Sequence, residues 1–276
     1  MKDKLISTDD LKKLHPALRG KHGDLLLKIA SKVAGVDKAN RVYDDSKHLV
    51  GLPFVNHLLD GLGIKRIVDN PEALQNLPEG AFITVSNHPY GHVDGITAIS
   101  IMGEQRNDYK MMVNWLLSNV DCMEDYFIGV NPFQDGKLSA RSSVAGVKQC
   151  MAHLKDGHPL GFFPAGAVSK NKITHIEDRE WQPSVVKLIK KARVPVVPMF
   201  FTGSNSWIFN FLDLIDWRLR SLRLAHEFHN KQGHEIHIRF GEVITPEEQD
   251  QYKDVKAFGQ FLKDKTYELA GKKYKK

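Results

Sequence analysis

The apolar positions of this chain follow two rhythms, one of strand length and one of helical spacing. From Ala81 onward, six apolar runs predict β-strands, namely AFITVS, YKMMVN, YFIGV, PLGFFPA, VPVVPMFF and HEIHIRFGEVI. Helical patterns lie among them at 94–105, 139–156 and 181–192. Alternation of strands and helices is typical of α/β proteins. We therefore predict a largely parallel central sheet with helices on both faces.

Two of the helical patterns carry further detail. The apolar positions of 139–156 are Val144, Val147, Met151 and Leu154. Towards the C-terminus, ITPEEQD matches a capping box made by Thr245, Pro246 and Glu248. We expect that box to open the last helix.

The residues before Ala81 have a mainly helical pattern. Residues 8–35 predict two helices, TDDLKKLHPALRG and HGDLLLKIASKVAG, each with a polar start and a glycine stop. LVGLPFVNHLLDGLGI predicts further helical turns, and KRIVDNPEALQNLPEG predicts a strand followed by a loop or short helix. We predict an N-terminal region of amphipathic helices at 1–60, a candidate for membrane-surface contact. Residues 61–276 are then the α/β domain with a C-terminal helix and a basic tail.

Composition and charge limit the possible binding partners and cellular location of the protein. Of 276 residues, 42% are hydrophobic, which is ample for a core, and the formal net charge is +6. This charge fits an anionic membrane, an acidic carrier protein or nucleic acid alike. Cys122 and Cys150 have no metal-ligand spacing and indicate reduced thiols in a cytosolic protein. Because the sequence has neither a signal-peptide core nor an apolar run of roughly 18–20 residues, we expect any membrane contact to be peripheral.

The stretch AFITVSNHPYGHVDGI contains the end of a predicted strand followed by two candidate catalytic residues. His88 follows the apolar run, Pro89 and Gly91 turn the chain, and Asp94 stands where the next helix begins. In open α/β sheets, reacting groups gather where strands end and helices begin. Such a corner brings an imidazole and a carboxylate within hydrogen-bonding reach. The spacing therefore predicts a general-base pair in which Asp94 orients His88.

On spacing alone, two other interpretations stay open. In the first, Asp94 only caps the helix and His88 only fills the loop. In the second, His88, His92 and Asp94 bind a metal ion, although Pro89 and Gly91 interrupt the helix that usually makes such histidine spacing useful. The sequence contains no Gly-x-Ser-x-Gly elbow and no phosphate-binding glycine loop.

SNHPYGHVDG resembles the first motif block of the glycerolipid (lysophospholipid) acyltransferases. Three more stretches agree in order: EDYFIGVNPF with the second block, LGFFPAGAVSK with the third (Phe-Pro-Glu-Gly-Thr-Arg-Ser), and VPVVPMFFTG with the fourth. The resemblance covers residues 81–245, most of the chain. The longer spacer between His88 and Asp94 is similar to that of a hemolysin-like bacterial branch. That branch is associated with O-acylation of N-acyl amino-acid lipids, such as ornithine or glycine lipids.

The third block departs from the family pattern. Ala165 and Val168 stand where the family has Glu and Arg. The family's Arg is associated with gripping the acceptor's phosphate, and a valine makes no charge-assisted bond. Lys170 or Lys172 offers only a point charge in its place. This departure weakens the case for a glycerol-3-phosphate-type acceptor, and the acceptor stays open between a lysophospholipid and an N-acyl amino-acid lipid.

The resemblance implies an O-acyltransferase. His88 would deprotonate an acceptor hydroxyl that attacks a thioester, and backbone N–H groups near Gly166 and Ala167 would hold the oxyanion. The other substrate-binding candidates are Asn87, Asn114, Arg141, Pro164 and Lys170. No metal and no bound cofactor is expected, because acyl-carrier protein (ACP) or CoA brings the acyl group as a co-substrate.

The expected partners are acyl-ACP or acyl-CoA, a lyso-lipid acceptor and an anionic membrane surface, with no nucleic acid. WIFNFLDLIDWRLRSLRL would place Trp207 and Trp217 at a lipid interface and Arg218, Arg220 and Arg223 at its head groups, or else form a core helix with a cationic end. The expected location is the cytoplasm, at the inner face of the cell membrane. Two other function classes stay open: an inactive lipid- or carrier-binding relative, and a metal-dependent hydrolase built on His88, His92 and Asp94.

Overall fold

A computed structural model describes residues 27–28, 31, 36–114, 120–130, 137–172, 174–215 and 217–271. The helices predicted over 8–35 thus lie almost entirely outside the described residues. The strands are β1 Lys65–Val68, β2 Ile83–Ser86, β3 Lys110–Asn114, β4 Phe127–Val130, β5 Leu160–Phe162, β6 Lys170–Asn171, β7 Ile176–Glu177, β8 Val196–Thr202 and β9 Glu235–Phe240.

Seven of these strands form one sheet in the order β1-β9-β8-β2-β5-β3-β4. Strand β2 pairs in parallel with β5 on one side and β8 on the other, and β3 pairs in parallel with β5 and β4. Only the β8–β9 pairing is antiparallel, and β1 is parallel to β9. The carboxyl ends of β2, β3, β4, β5 and β8 therefore share one edge of the sheet, where a ligand site is expected.

Helices cover both faces of this sheet. They are α1 Val36–Ser46, α2 Leu52–Gly61, α3 His92–Gln105, α4 Lys137–Lys155, α5 Pro183–Ala192, α6 Trp207–Ile215, α7 Trp217–His229, α8 Pro246–Asp250 and α9 Val255–Glu268. One apolar core packs α1, α2 and α3 on the sheet, and a second packs α4, α5 and α9 on the opposite face. The central strands are buried along almost their whole length, as their continuous apolar runs require. Within the described ranges, no helix has both the length and the apolar character needed to cross a bilayer.

The predicted α/β architecture is confirmed, and three details of the prediction are wrong. The capping box of Thr245 and Glu248 is present, but it opens the five-residue α8. The last helix, α9, has its own N-cap, Asp254, whose side chain accepts from the Ala257 N–H at 2.8 Å. The two helices are separate because residues 251–254 leave the helical path between them. The division of the chain at residue 60 stays a prediction.

The second correction concerns the inner face of α4. Val144 and Val147 are exposed, whereas Gly146, Cys150 and Leu154 are buried. A Cβ on Gly146 would lie 2.4 Å from the carbonyl oxygen of Gly129, so the helix approaches β4 through its smallest residue. Large apolar side chains at that contact would hold the helix away from the sheet.

The third correction is the short β6–β7 hairpin, which follows the third motif block. The strands predicted from the sequence include none over residues 170–177, whereas Lys170 pairs with Glu177 and Asn171 with Ile176 in antiparallel register. Two-residue strands are too short to show an alternating pattern. The hairpin carries the chain back towards the carboxyl edge of the sheet.

Candidate active site

His88 and Asp94 meet at the carboxyl end of β2. The strand ends at Ser86, and α3 begins at His92, so Asp94 lies in the first helical turn. His88 Nδ1 is 2.9 Å from Asp94 Oδ2. The two atoms are within hydrogen-bonding distance, although the ring N–H is not aligned along the line that joins them. The Asp94 side chain has no exposed surface, whereas 17% of the His88 side chain is exposed.

The turn itself fixes the carboxylate of Asp94. Its Oδ2 accepts hydrogen bonds from the backbone N–H groups of Tyr90 and Gly91, both at 2.9 Å. Gly91 has φ of 80°, and a Cβ there would lie 2.8 Å from a methyl carbon of Leu224, so the turn requires glycine. Burial raises the pKa of Asp94, while His88 and the two N–H groups act in the opposite direction. The net shift is upward, and the two backbone N–H donors fix the position of the side chain before any substrate binds.

The imidazole ring of His88 is also fixed by stacking. The Phe163 ring lies parallel to it within 23°, with ring centroids 4.0 Å apart. With Nδ1 facing Asp94, Nε2 is the nitrogen left for a substrate, since no described residue hydrogen-bonds it. An imidazole with one nitrogen on a carboxylate and the other open is the arrangement of a general base.

A second buried carboxylate, which was not predicted from the sequence, binds the main chain of His88. The backbone N–H of His88 donates to Asp178 Oδ1 at 3.2 Å and to Ser169 Oγ at 3.3 Å. Asp178 also accepts from the Ser169 hydroxyl and from Trp181 Nε1. Burial raises the pKa of Asp178, although each of these contacts comes from a donor. Asp178 follows a two-residue strand, so no periodicity marks it.

The third motif block forms the turn after β5, next to His88. The Ser169 N–H donates to the His88 carbonyl at 2.9 Å, which joins the two motif segments directly. The Gly166 N–H already donates to Phe163 O at 3.0 Å and closes the turn, whereas no described residue accepts from Ala167 N–H. The predicted oxyanion donors therefore differ, and Ala167 is the one still open. Pro164 is buried, and its carbonyl accepts from Gln182 N–H.

Arg220 of α7 binds the main chain of the third motif block. Its guanidinium donates to the carbonyls of Val168 and Ser169, each at 3.1 Å, and pairs with Asp213 at 3.1 Å. Arg223 pairs with Glu227 at 3.3 Å. The interpretation that placed Arg220 at lipid head groups is therefore wrong, because its side chain is buried; for the half-buried Arg223 it stays a prediction. The side chains of Trp217 and Arg218 lie outside the description.

The remaining substrate-binding candidates lie in different surroundings. Asn87 is buried and bonds the main chain of β8, donating to Phe201 O at 2.9 Å and accepting from Phe201 N at 2.8 Å. Asn114 is half-buried at the carboxyl end of β3, and Lys170 is half-buried in β6. Arg141 lies in α4, but its side chain is outside the description. A substrate-binding role for each of them stays a prediction.

The metal alternative finds no support in the described residues. His92 lies in the first turn of α3, and its ring makes no hydrogen bond or ion pair with Asp94 or His88. Across the parts of the chain that the structure describes, no group of three His, Cys, Asp or Glu side chains is arranged to hold a metal ion.

Lys231 is a buried cation near His88 and Asp94, and it was not predicted from the sequence. Its Nζ donates to Ser204 O at 3.1 Å and lies 4.9 Å from the ring centroid of Tyr90. Burial lowers the pKa of Lys231, and the nearby charges of Glu227 and Asp94 oppose that effect. The lysine stands just beyond the last turn of α7, where its sequence context gives no hint of burial.

Comparison with known proteins identifies the family. A family model described as acyltransferase matches residues 38–273. The chain belongs to this acyltransferase family. Two relatives of the family carry the name lyso-glycine lipid O-acyltransferase. The protein from Phocaeicola vulgatus is 30% identical over 241 residues, covering 84% of this chain and 83% of its own length. That from Bacteroides thetaiotaomicron is 27% identical over 246 residues, covering 86% and 87%.

The acyltransferase fold is also found in a solved structure. The crystal structure of the 1-acyl-sn-glycerophosphate acyltransferase PlsC from Thermotoga maritima matches with a TM-score of 0.50 and 14% identity, over 98% of this chain and 96% of that one. At this identity the likeness concerns the fold alone. The family resemblance read from the four motif blocks is confirmed, and so is the expectation of an acyltransferase enzyme.

Proposed function

We propose that this acyltransferase transfers a fatty acyl group from a thioester to the hydroxyl of a lyso-lipid, with an N-acyl amino-acid lipid as the acceptor class. The observation that carries the proposal is the His88–Asp94 pair, with Nδ1 2.9 Å from the carboxylate and Nε2 open. The names of the two relatives support the acceptor class. The absence of an arginine at position 168 speaks against dependence on a phosphate at that point.

In the proposed reaction, His88 Nε2 takes the proton of the acceptor hydroxyl as its oxygen attacks the thioester carbonyl. The new C–O bond forms a tetrahedral oxyanion, and in this proposal the open Ala167 N–H is the donor that stabilises it. When the intermediate collapses, the C–S bond breaks and the thiolate leaves with the proton held by His88. The ester, the thiol and neutral His88 are then restored without a covalent acyl-enzyme.

Asp94 stabilises the imidazolium that exists between these two proton transfers. Its buried carboxylate also fixes the tautomer with hydrogen on Nδ1, so that Nε2 is free to accept. The donor is acyl-ACP or acyl-CoA in this proposal, acting as a co-substrate, and no resident cofactor takes part.

We further propose that the protein meets an anionic membrane surface through α6. Trp207 is 75% exposed and Phe211, one turn later, is 51% exposed, which puts two aromatic rings on one helix face. They line a shallow groove of about 380 Å³ together with the β6–β7 hairpin. Lys172 of that hairpin is exposed and has no ionic partner among the described residues. Exposed aromatic rings favour a bilayer interface, and lysines favour its anionic head groups.

Vesicle flotation tests this contact. We expect the wild type to float with vesicles that contain anionic lipid and the Trp207→Ser/Phe211→Ser variant to float less. Val50→Ser is the matched control, because Val50 is 54% exposed elsewhere on the surface. Equal flotation of all three proteins would argue against α6 as the contact.

Lipid mass spectrometry tests the reaction itself. Cells that lack the gene should lose a diacylated lipid and accumulate its monoacyl precursor, and wild type should restore the profile while His88→Ala should not. Full rescue by His88→Ala, with equal protein levels, would remove the general base from the mechanism. An unchanged lipid profile would instead favour a catalytically inactive binding protein.

A further inference from the structure

Arg179 is a charged side chain that the described structure leaves without a counter-charge. It is half-buried, and its Nε has no surface and no hydrogen-bond partner. Within the described part of the chain, no carboxylate lies in ion-pair distance of its guanidinium. A guanidinium that is partly removed from water usually has hydrogen bonds or a paired anion.

The acidic residues around Arg179 all have other partners. Asp178 accepts from Ser169 and Trp181, and Glu177 pairs with Lys263 at 3.0 Å. Glu180, on the other side, is 3.8 Å from Lys256. None of these contacts involves the guanidinium of Arg179. Among the described residues, none accepts a hydrogen bond from this five-donor guanidinium.

Two neighbours of Arg179 contact the residues around His88. Arg179 directly follows Asp178, whose carboxylate bonds the backbone N–H of His88 at 3.2 Å. It also lies near Arg220, which holds the carbonyls of Val168 and Ser169. Burial lowers the pKa of Arg220, Asp213 opposes this, and the charge of Arg179 adds to it. Asp213 pairs with Arg220, and among the described residues no carboxylate pairs with Arg179.

We propose that Arg179 binds the anionic head group of the acyl acceptor, which for an N-acyl amino acid is the free carboxylate. Arginine matches a carboxylate with two parallel N–H donors, so it fixes orientation as well as charge. Arg179 would thereby place a cation near the third motif block, in which position 168 is a valine. This inference rests on the proposed acceptor chemistry and adds to it a residue that determines acceptor specificity.

The test compares equilibrium binding of three acceptors in the absence of any acyl donor. They are a short-chain hydroxylated N-acyl glycine, its methyl ester and a short-chain lysophosphatidic acid. Arg179→Gln removes the charge, Arg179→Lys keeps the charge without the fork, and Lys187→Gln is the control because Lys187 is an exposed cation on α5. Thermal unfolding of every variant shows whether it is folded.

We expect wild type to bind the N-acyl glycine more tightly than its methyl ester. Arg179→Gln should weaken binding of the acid by about ten- to hundredfold and leave the ester unchanged, since one charge-assisted contact is lost. Arg179→Lys should lie between them, and Lys187→Gln should match wild type. Tighter wild-type binding of the lysophosphatidic acid, also lost in Arg179→Gln, would keep Arg179 as the anion site and change the anion to a phosphate.

Equal loss for acid and ester in a folded Arg179→Gln protein would overturn the proposal, as would no loss at all. Turnover of the same acceptors with acyl-ACP and acyl-CoA separates this failure from failure of the proposed function. If wild type binds the acid through Arg179 but transfers no acyl group, the proposed acyl transfer is refuted and the Arg179 binding site is supported. If wild type transfers acyl groups and Arg179→Gln keeps the preference for the acid, the Arg179 binding site is refuted and the proposed acyl transfer is supported.

Discussion

The carboxylate of Asp94 should be essential for turnover but nearly neutral for folding. We consider Asp94→Asn, which keeps the size of the side chain and removes its charge. At the observed 2.9 Å separation, Coulomb's law with an effective dielectric constant of about 20 gives roughly 6 kcal/mol for a full imidazolium. Because the imidazolium charge is only partly developed in the transition state, we expect a loss of about 3–5 kcal/mol, or a 10²- to 10⁴-fold fall in kcat.

The tautomer of His88 adds to this loss. An asparagine amide that turns its N–H₂ towards His88 makes Nδ1 an acceptor and places the ring proton on Nε2. Nε2 is then unable to take the acceptor's proton. The opposite orientation restores the tautomer but supplies no negative charge, so neither orientation replaces the carboxylate.

Folding should respond differently to Asp94→Asn. The amide oxygen still accepts from the N–H groups of Tyr90 and Gly91, while the new N–H₂ has no buried acceptor at Oδ1. Since burial raises the pKa of Asp94 above its unfolded value, the ionised form costs stability as the pH rises through that range, and the amide removes this cost. The two effects oppose each other, so the free energy of unfolding should change by about 1 kcal/mol or less.

The assay is acyl transfer from a thioester to a lyso-lipid at saturating substrate, together with thermal unfolding of the same preparations. His88→Ala provides the reference for complete loss of the base. An Asp94→Asn enzyme with more than a tenth of the wild-type kcat would refute the assignment of Asp94. A large fall in Tm would mean instead that the carboxylate is chiefly a structural anchor of the turn.

Three further substitutions test packing and ion pairing in the fold. Asn87→Ala should lower the free energy of unfolding by about 2–4 kcal/mol in denaturant titration, because it leaves two buried main-chain groups of β8 unpaired. Gly146→Ala should destabilise by about 1–3 kcal/mol despite the better helix propensity of alanine, because its Cβ would meet Gly129 O at 2.4 Å; a gain in Tm would contradict that close contact. Arg106, with His158, lowers the pKa of Asp108 from 3.8 to about 2 against the opposing effect of burial, so its stabilisation is present above 3.8 and is lost on acidification towards 2. Between pH 5 and 2, wild type should therefore lose about 1–2 kcal/mol more than Asp108→Asn, and parallel pH curves would exclude this ion pair.

The sequence predicted those parts of the fold that depend on local periodicity. The runs that became β2 and β8 are continuously apolar because both strands are buried on both faces, and this is visible without a structure. The inner face of α4 was not predictable in the same way. Val144 and Val147 have the right spacing, but the contact with β4 needs the small Gly146, and only the distance between helix and sheet shows it.

The site was predictable to the extent that it is local in sequence. His88 and Asp94 are six residues apart across a turn, so their types and spacing alone indicated the pair. Asp178 is 90 residues from His88 in sequence, and its hydrogen bond to the His88 main chain depends on the path of the β6–β7 hairpin. The engagement of Arg220 with Val168 and Ser169 likewise depends on the packing of α7. Contacts of this kind follow from tertiary structure and leave no periodic signal.

His88 and Arg179 differ in how many hydrogen bonds and contacts hold them in place. We infer from this difference that His88 acts in catalysis, whereas Arg179 acts in the choice of acceptor. On the side of the base, His88 is held by Asp94, by Phe163 and, through its main chain, by Asp178, so its geometry exists before a substrate arrives. On the other side, Arg179 keeps unused donors among the described residues. Preorganised groups act on any bound hydroxyl, whereas an unpaired cation acts only on acceptors that carry an anion. If Arg179 binds the acceptor as proposed, we expect its substitution to alter which acceptor is used while the rate with a bound acceptor stays close to that of the wild type.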